Sequence, residues 1–176
     1  MKLKEALGLL ARYVFLLIFP LLQLAPLYML FTPLTLYPVL LLTKIFYPHV
    51  AHEGILLIIN TTTIMLVEAC IAGAAYYLLL ILAFATPLPW KKRLRVLVFL
   101  WLSFLLLNIL RITLFIILFV VGFSYFDLAH RWVWYLGSTF VVVGIWFAAV
   151  KIYAIKNIPF FTDIKALVKN TRTKRL

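Results

Sequence analysis

Four stretches of this chain stay apolar for the roughly 20 residues that a helix needs to cross the hydrocarbon core of a bilayer, and charge or proline bounds each of them. They are Tyr13 to Phe31, Cys70 to Leu88, Val96 to Val121 and His130 to Val150. A soluble domain of 176 residues could not be 66% hydrophobic and only 12% charged, with a mean hydropathy of +1.13. The expected fold is therefore an all-α integral membrane protein, a compact multi-helix bundle of about four spans. It forms a single transmembrane domain over residues 1–159, followed by a basic cytoplasmic tail over 160–176.

Charge orients the bundle. The net charge is +12, and most of the 17 Lys and Arg residues flank the apolar runs: Lys2, Lys4 and Arg12, then Lys91 to Arg95, then Lys151 to Arg175. This is a positive-inside distribution, and it argues against a nucleic-acid partner. It places the Lys91–Arg95 loop and the tail in the cytoplasm, and Cys70 and the Phe123–Arg131 connection outside. With one span before Cys70, the N-terminus is also inside. The first span carries Pro20 and Pro26, which neighbouring helices can accommodate, and it is longer than a cleaved signal peptide. Pro87-Leu88-Pro89 stops the second, and Trp90 follows as an interface anchor.

Between the first two spans the pattern changes. Leu34 to Tyr47 is apolar but short and contains Lys44, so it reads as a re-entrant or interfacial helix; if it spans, the N-terminus moves outside. Gly54 to Ala69 is rich in Ile, Leu and Thr, with Asn60-Thr61-Thr62 as a turn. It reads either as a short external β-hairpin or as an irregular helix on the bundle.

Chemistry must come from polar groups that lipid makes costly. Arg111 lies inside the third run, about 24 Å from Arg95 at a helical rise of about 1.5 Å per residue, hence near the outer leaflet. Asn108, three residues earlier, shares its helical face and can position the guanidinium. The alternative is a helix-packing pair or a snorkelling side chain. Cys70, the only cysteine, opens the second run on the same side, in Val67-Glu68-Ala69-Cys70-Ile71-Ala72-Gly73. A helix start and a nearby arginine favour its thiolate, while apolar burial opposes it. Taken alone, it also reads as a small inert core residue. His130 begins the fourth run, with Asp127 before it either to orient it or to cap the helix, and Arg131 after it. Alone, His130 reads as an interfacial residue. Convergence of a thiol, a guanidinium and an imidazole on one leaflet supplies a nucleophile, an electrostatic stabiliser and a base. Glu68 would share a face with Cys70 in an extended segment and so could orient the base or bind a substrate amide.

Glu68-Ala69-Cys70-Ile71-Ala72-Gly73 at one helix start, Asn108-Ile109-Leu110-Arg111-Ile112 in the next helix and His130 before the last resemble the exosortase/archaeosortase family. The resemblance covers roughly residues 54–144. It implies a multispanning cysteine protease or transpeptidase that processes secreted proteins at a C-terminal sorting signal, made of a short motif, a transmembrane helix and a basic cluster. It further implies that Cys70 is the nucleophile and that Arg111 and His130 are the other catalytic residues. Arg131 competes with His130, since archaeal members can carry arginine in the third position. The family's cysteine is usually followed by Ser or Thr and then Gly, whereas Ile71 and Ala72 precede Gly73 here. The expected partners are such secreted proteins and membrane lipids, and neither cofactor nor metal is called for.

Two other classes compete. His49-Val50-Ala51-His52-Glu53 groups metal-ligand types that, with His130, would suit a metal-dependent hydrolase, although a solvated loop explains them equally. A non-enzymatic membrane subunit or small transporter would use Arg111 as an anion site.

Overall fold

The computed structural model describes residues 3–155, so the basic tail expected over 160–176 lies outside the described residues. Among the described residues seven α-helices, one π-helical turn and a small sheet follow one another: α1 (Leu3–Leu21), α2 (Ala25–Phe46), β1 (Val50–Glu53), β2 (Leu56–Ile59), β3 (Thr62–Met65), α3 (Glu68–Ile71), α4 (Gly73–Ala85), α5 (Trp90–Val120), α6 (Phe126–Trp132), the π turn (Val133–Gly137) and α7 (Ser138–Ile152). Four helical segments among the described residues are long and apolar enough to cross a membrane: Ala25–Phe46, Glu68–Ala85, Trp90–Val120 and Phe126–Ile152. The chain is thus a helical, multi-pass membrane protein, with the expected number of spans.

The first span is not the expected Tyr13–Phe31. That stretch breaks at Gln23 and Leu24, both in the left-handed region with φ near 51° and 60°. Pro20 lies in the last turn of α1, and Pro26 opens α2, where its missing N–H costs nothing because first-turn donors have no intrahelical partner. Leu34 to Phe46 consequently belongs to a spanning helix rather than lying in the interface, and Lys44 sits exposed in its last turn. The shorter apolar helix is α1, whose apolar part is Leu10–Leu21. It packs on α4: Tyr77 Oη donates to Leu16 O at 2.9 Å, Arg12 Nη1 donates to Phe84 O at 3.2 Å, and the Phe15 and Phe84 rings stack.

Lys91 to Arg95 form the first turns of α5, not a loop. Arg93 is buried there. It lies over the rings of Phe84 and Trp90 at 5.4 and 5.9 Å and donates to Thr86 O, so the charge is held by aromatic faces and a carbonyl.

Two cores divide the bundle along α5. Tyr76, Leu79, Leu80, Val96, Leu100 and Phe104 centre the one near the basic end. At the opposite end, Leu36, Val39 and Leu40 of α2 meet Ile109, Ile112 and Ile116 of α5, and Leu57 and Ile59 of β2 cover them. The sheet is an antiparallel meander in the order β1-β2-β3, joined by two-residue turns at Gly54-Ile55 and Asn60-Thr61. Gly54 and Asn60 take the positive φ that such turns need. The hairpin reading of residues 54–69 therefore holds for Leu56 to Met65, and β1 adds a third strand.

Gly73 opens α4 against the Tyr28 ring, and a Cβ placed there would come within 2.7 Å of it. Gly73→Ala is expected to cost about 1–2 kcal/mol by overpacking. In thermal unfolding in detergent, most of that loss should disappear when Tyr28 is also shortened to Leu. Gly144→Ala, inside α7 and with open space at its Cβ, should instead raise stability by about 0.5–1 kcal/mol, the helix-interior advantage of Ala over Gly.

Candidate functional site

Cys70 sits where a helix is broken. The single turn α3 ends at Ala72, which adopts the left-handed conformation at φ 60°, and α4 starts at the next residue. A non-glycine residue in that region costs about 1–2 kcal/mol, and the break interrupts helical pairing of the carbonyls before it. Side chains from α5 occupy those carbonyls. Asn108 Nδ2 donates to Cys70 O at 3.0 Å and to Ile71 O at 3.5 Å, and Arg111 Nη2 donates to Cys70 O at 3.3 Å. Asn108 Oδ1 in turn accepts from Arg111 Nη2 at 2.8 Å, as the three-residue helical spacing allows. Asn108 is buried and Arg111 half-buried, so this clamp works where hydrogen bonds are little challenged by water.

A cavity of about 360 Å³ opens beside the clamp, and Cys70, Arg111 and His130 all lie on its wall. The rest of the lining is Thr63 to Val67 from β3 and the segment after it, with Ile112, Phe115, Ile116, Phe119 and Phe126. His130 is held by aromatic rings. It stacks on Phe126, one helical turn earlier, at 5.6 Å and 7°, and meets the edge of Phe115 at 5.1 Å and 85°. Among the described residues no hydrogen bond joins Cys70 to His130. Among the described residues Arg111 engages acceptors only through Nη2, and no acceptor there meets its Nη1 and Nε groups.

The other candidates fall elsewhere. Arg131 pairs with Asp127 at 2.9 Å, both well exposed; Asp127 does not hold His130 and its carboxylate accepts no capping hydrogen bond from α6, and Arg131 does not line the cavity. Glu68 is exposed at the start of a helical turn, not in an extended segment, and therefore does not share a face with Cys70. His52 meets the edge of the Tyr37 ring at 6.2 Å, and among the described residues no cluster of three His, Cys, Asp or Glu side chains gathers as a metal site.

Tyr76 is a neighbour the sequence did not single out. It is fully buried, its ring stacks on Phe31, and its hydroxyl lies beside Thr35 within electrostatic reach of Arg111. Its place six residues after Cys70 gave no separate signal, because tyrosine is common in membrane helices. A second, more apolar cavity of about 290 Å³ shares Arg111 and Phe115 with the first and reaches Asn108 of the clamp, and Val133, Gly137 and Val141 of the last segment close it.

Comparison with protein-family models, with curated proteins and with solved structures finds no match to this chain. Fold and cavity define its class: a helical membrane protein with a cavity that brings a thiol, a guanidinium and an imidazole to one wall.

Proposed function

We propose that this protein is a membrane-embedded cysteine peptidase or transpeptidase that cleaves the C-terminal sorting signal of secreted proteins, as its resemblance to exosortases and archaeosortases implies. The observation that carries this reading is the shared cavity: the only thiol of the chain, Arg111 and His130 lie on one wall system although three separate segments supply them. The basic start of α5 belongs on the cytoplasmic side by the positive-inside rule, which turns the cavity to the extracytoplasmic face of the cell membrane.

In the proposed reaction Cys70 Sγ attacks the scissile carbonyl carbon, and its proton passes to His130. Arg111 uses the N–H groups not committed to the clamp to stabilise the oxyanion. Collapse breaks the C–N bond, His130 returns the proton to the leaving amine, and a thioester to Cys70 remains. An amine, a hydroxyl or water then resolves it. The His130–Cys70 hydrogen bond forms when substrate fills the cavity, a tightening usual for catalytic pairs.

The test compares secreted proteins of the native host with and without this gene. Precursors retaining a C-terminal hydrophobic helix should accumulate without it, and acid quenching in its presence should trap a precursor-derived adduct on Cys70 that hydroxylamine releases. An unchanged set of secreted proteins, with no hydroxylamine-sensitive adduct, would reject the enzyme reading.

A further inference from the structure

We infer that the free edge of β3 is the substrate-binding strand of this cavity: an extended polypeptide pairs with the backbone of Thr63 and Met65 and is carried by that pairing to Cys70. The inference rests on the reading of the cavity as a peptidase site and names how that site takes its substrate.

Register decides which backbone groups are available. Leu66 N donates to Ile55 O at 3.0 Å, which makes Ile55 and Leu66 a hydrogen-bonded pair. Bonded and non-bonded pairs alternate along an antiparallel ladder, so Leu57–Ile64 and Ile59–Thr62 are bonded and Leu56–Met65 and Ile58–Thr63 are not. Asn60 N donating to His49 O on the other side of β2 agrees with this phase. The N–H and C=O of Leu56 and Ile58 therefore turn to β1. Those of Thr63 and Met65 turn away from β2, to an edge that no strand covers among the described residues.

That edge faces the cavity. Successive side chains of a strand point to opposite faces, so a cavity lying on one face would be lined by alternate residues. Here Thr63, Ile64 and Met65 of β3 line it in succession, as a strand does when it presents its edge, and Leu66 and Val67 after the strand continue the wall. The same run leads into the candidate nucleophile, because Cys70 N donates to Val67 O at 2.8 Å. The two sheet edges also differ in kind. β1 contains His52 and Glu53 and follows Pro48, the features that discourage pairing, whereas Thr62-Thr63-Ile64-Met65 has neither charge nor proline. Backbone pairing along an edge is an established mode of peptide capture, with side-chain pockets adding selectivity.

The probe is acetyl-tetraalanine chloromethyl ketone, which alkylates Cys70 by forming an S–CH2 bond with loss of chloride, applied to the full chain in detergent. Iodoacetamide gives the intrinsic reactivity of the thiol. The tetrapeptide should alkylate Cys70 about tenfold faster than its monoalanine analogue, the worth of one or two backbone hydrogen bonds. Methylating alternate peptide nitrogens of the probe should abolish that gain. Met65→Pro, which removes an outward N–H and no bond to β2, should do the same when each peptide rate is taken relative to that variant's own iodoacetamide rate. If Met65→Pro does not fold, the N-methyl probe on the wild-type chain decides alone. Peptide labelling that ignores length and N-methylation, with iodoacetamide still reacting, overturns the edge inference and leaves the peptidase reading standing. Cys70 inert to every reagent overturns the peptidase reading itself. A dimer that Met65→Pro dissociates, with the length effect absent, would assign the edge to a second copy of this chain instead.

Discussion

Cys70→Ala is expected to lower precursor processing by more than about a thousandfold, and Arg111→Ala by about a hundredfold to a thousandfold, in membranes carrying equal amounts of folded protein. The two losses differ in origin. Without Sγ there is no atom to form the thioester, and the chain contains no second thiol to replace it. In the proposed mechanism Arg111 would contribute charge stabilisation and geometry together, since Nη2 holds the Cys70 carbonyl and the remaining N–H groups would serve the oxyanion. Arg111→Lys separates these contributions. Lysine keeps the charge but lacks the planar fork that reaches a carbonyl, an amide oxygen and a third acceptor at once, so it should recover little of the rate. Processing assayed by precursor mobility, with thermal unfolding as the folding control, checks all three variants. A processing rate unaffected by Cys70→Ala but lost in Arg111→Ala would replace the thiol mechanism with the anion-site reading, in which Arg111 binds a negatively charged solute.

What the sequence shows of this fold follows from how strongly lipid constrains each segment. The last three spans are legible because charge or proline stops each run: Trp90 to Arg95 marks one end of α5, and Pro87 and Pro89 follow α4. From Tyr13 to Phe46 the hydropathy has no comparable gap, so the boundary between α1 and α2 depends on backbone geometry at Gln23 and Leu24, which hydropathy does not register. Proline spacing carries part of the missing information. Pro26 sits in a first turn, while Pro33 and Pro38 lie inside α2, where a membrane bundle tolerates them. The strands were half visible for a similar reason. Asn60 announces the second turn, but β1 is spelled Val-Ala-His-Glu with three exposed residues, and such a strand has no alternating pattern to read. In the site, Arg111 and Asn108 stand out because polar groups in an apolar run demand partners. That one of those partners is the carbonyl of Cys70 depends on the left-handed Ala72, a conformation that nothing in the surrounding sequence requires.

Asn108 carries the second large expectation, because it is the atom-by-atom link between the broken helix and the guanidinium. Asn108→Leu fills a similar volume but withdraws the donor from the Cys70 and Ile71 carbonyls and the acceptor from Arg111 Nη2. Processing should fall about tenfold to a hundredfold, since displacing catalytic groups by even about 1 Å has effects of that size. Stability should fall by only about 0.5–2 kcal/mol, the span found for side-chain hydrogen bonds between membrane helices. Asn108→Asp discriminates between the two halves of the link. Its carboxylate still accepts from Arg111, with a stronger charge-assisted bond, yet has no donor for the Cys70 carbonyl. If fixing Arg111 is what matters, Asn108→Asp should process substrate much faster than Asn108→Leu, and iodoacetamide should reach Cys70 equally well in both. If holding the carbonyl is what matters, the two variants should be equally slow, and the accessibility of Cys70 to iodoacetamide should change in both as the turn around Ala72 relaxes. Processing at the wild-type rate in both variants would reduce Asn108 to a packing residue. The clamp would then be a structural answer to the break at Ala72 and nothing more.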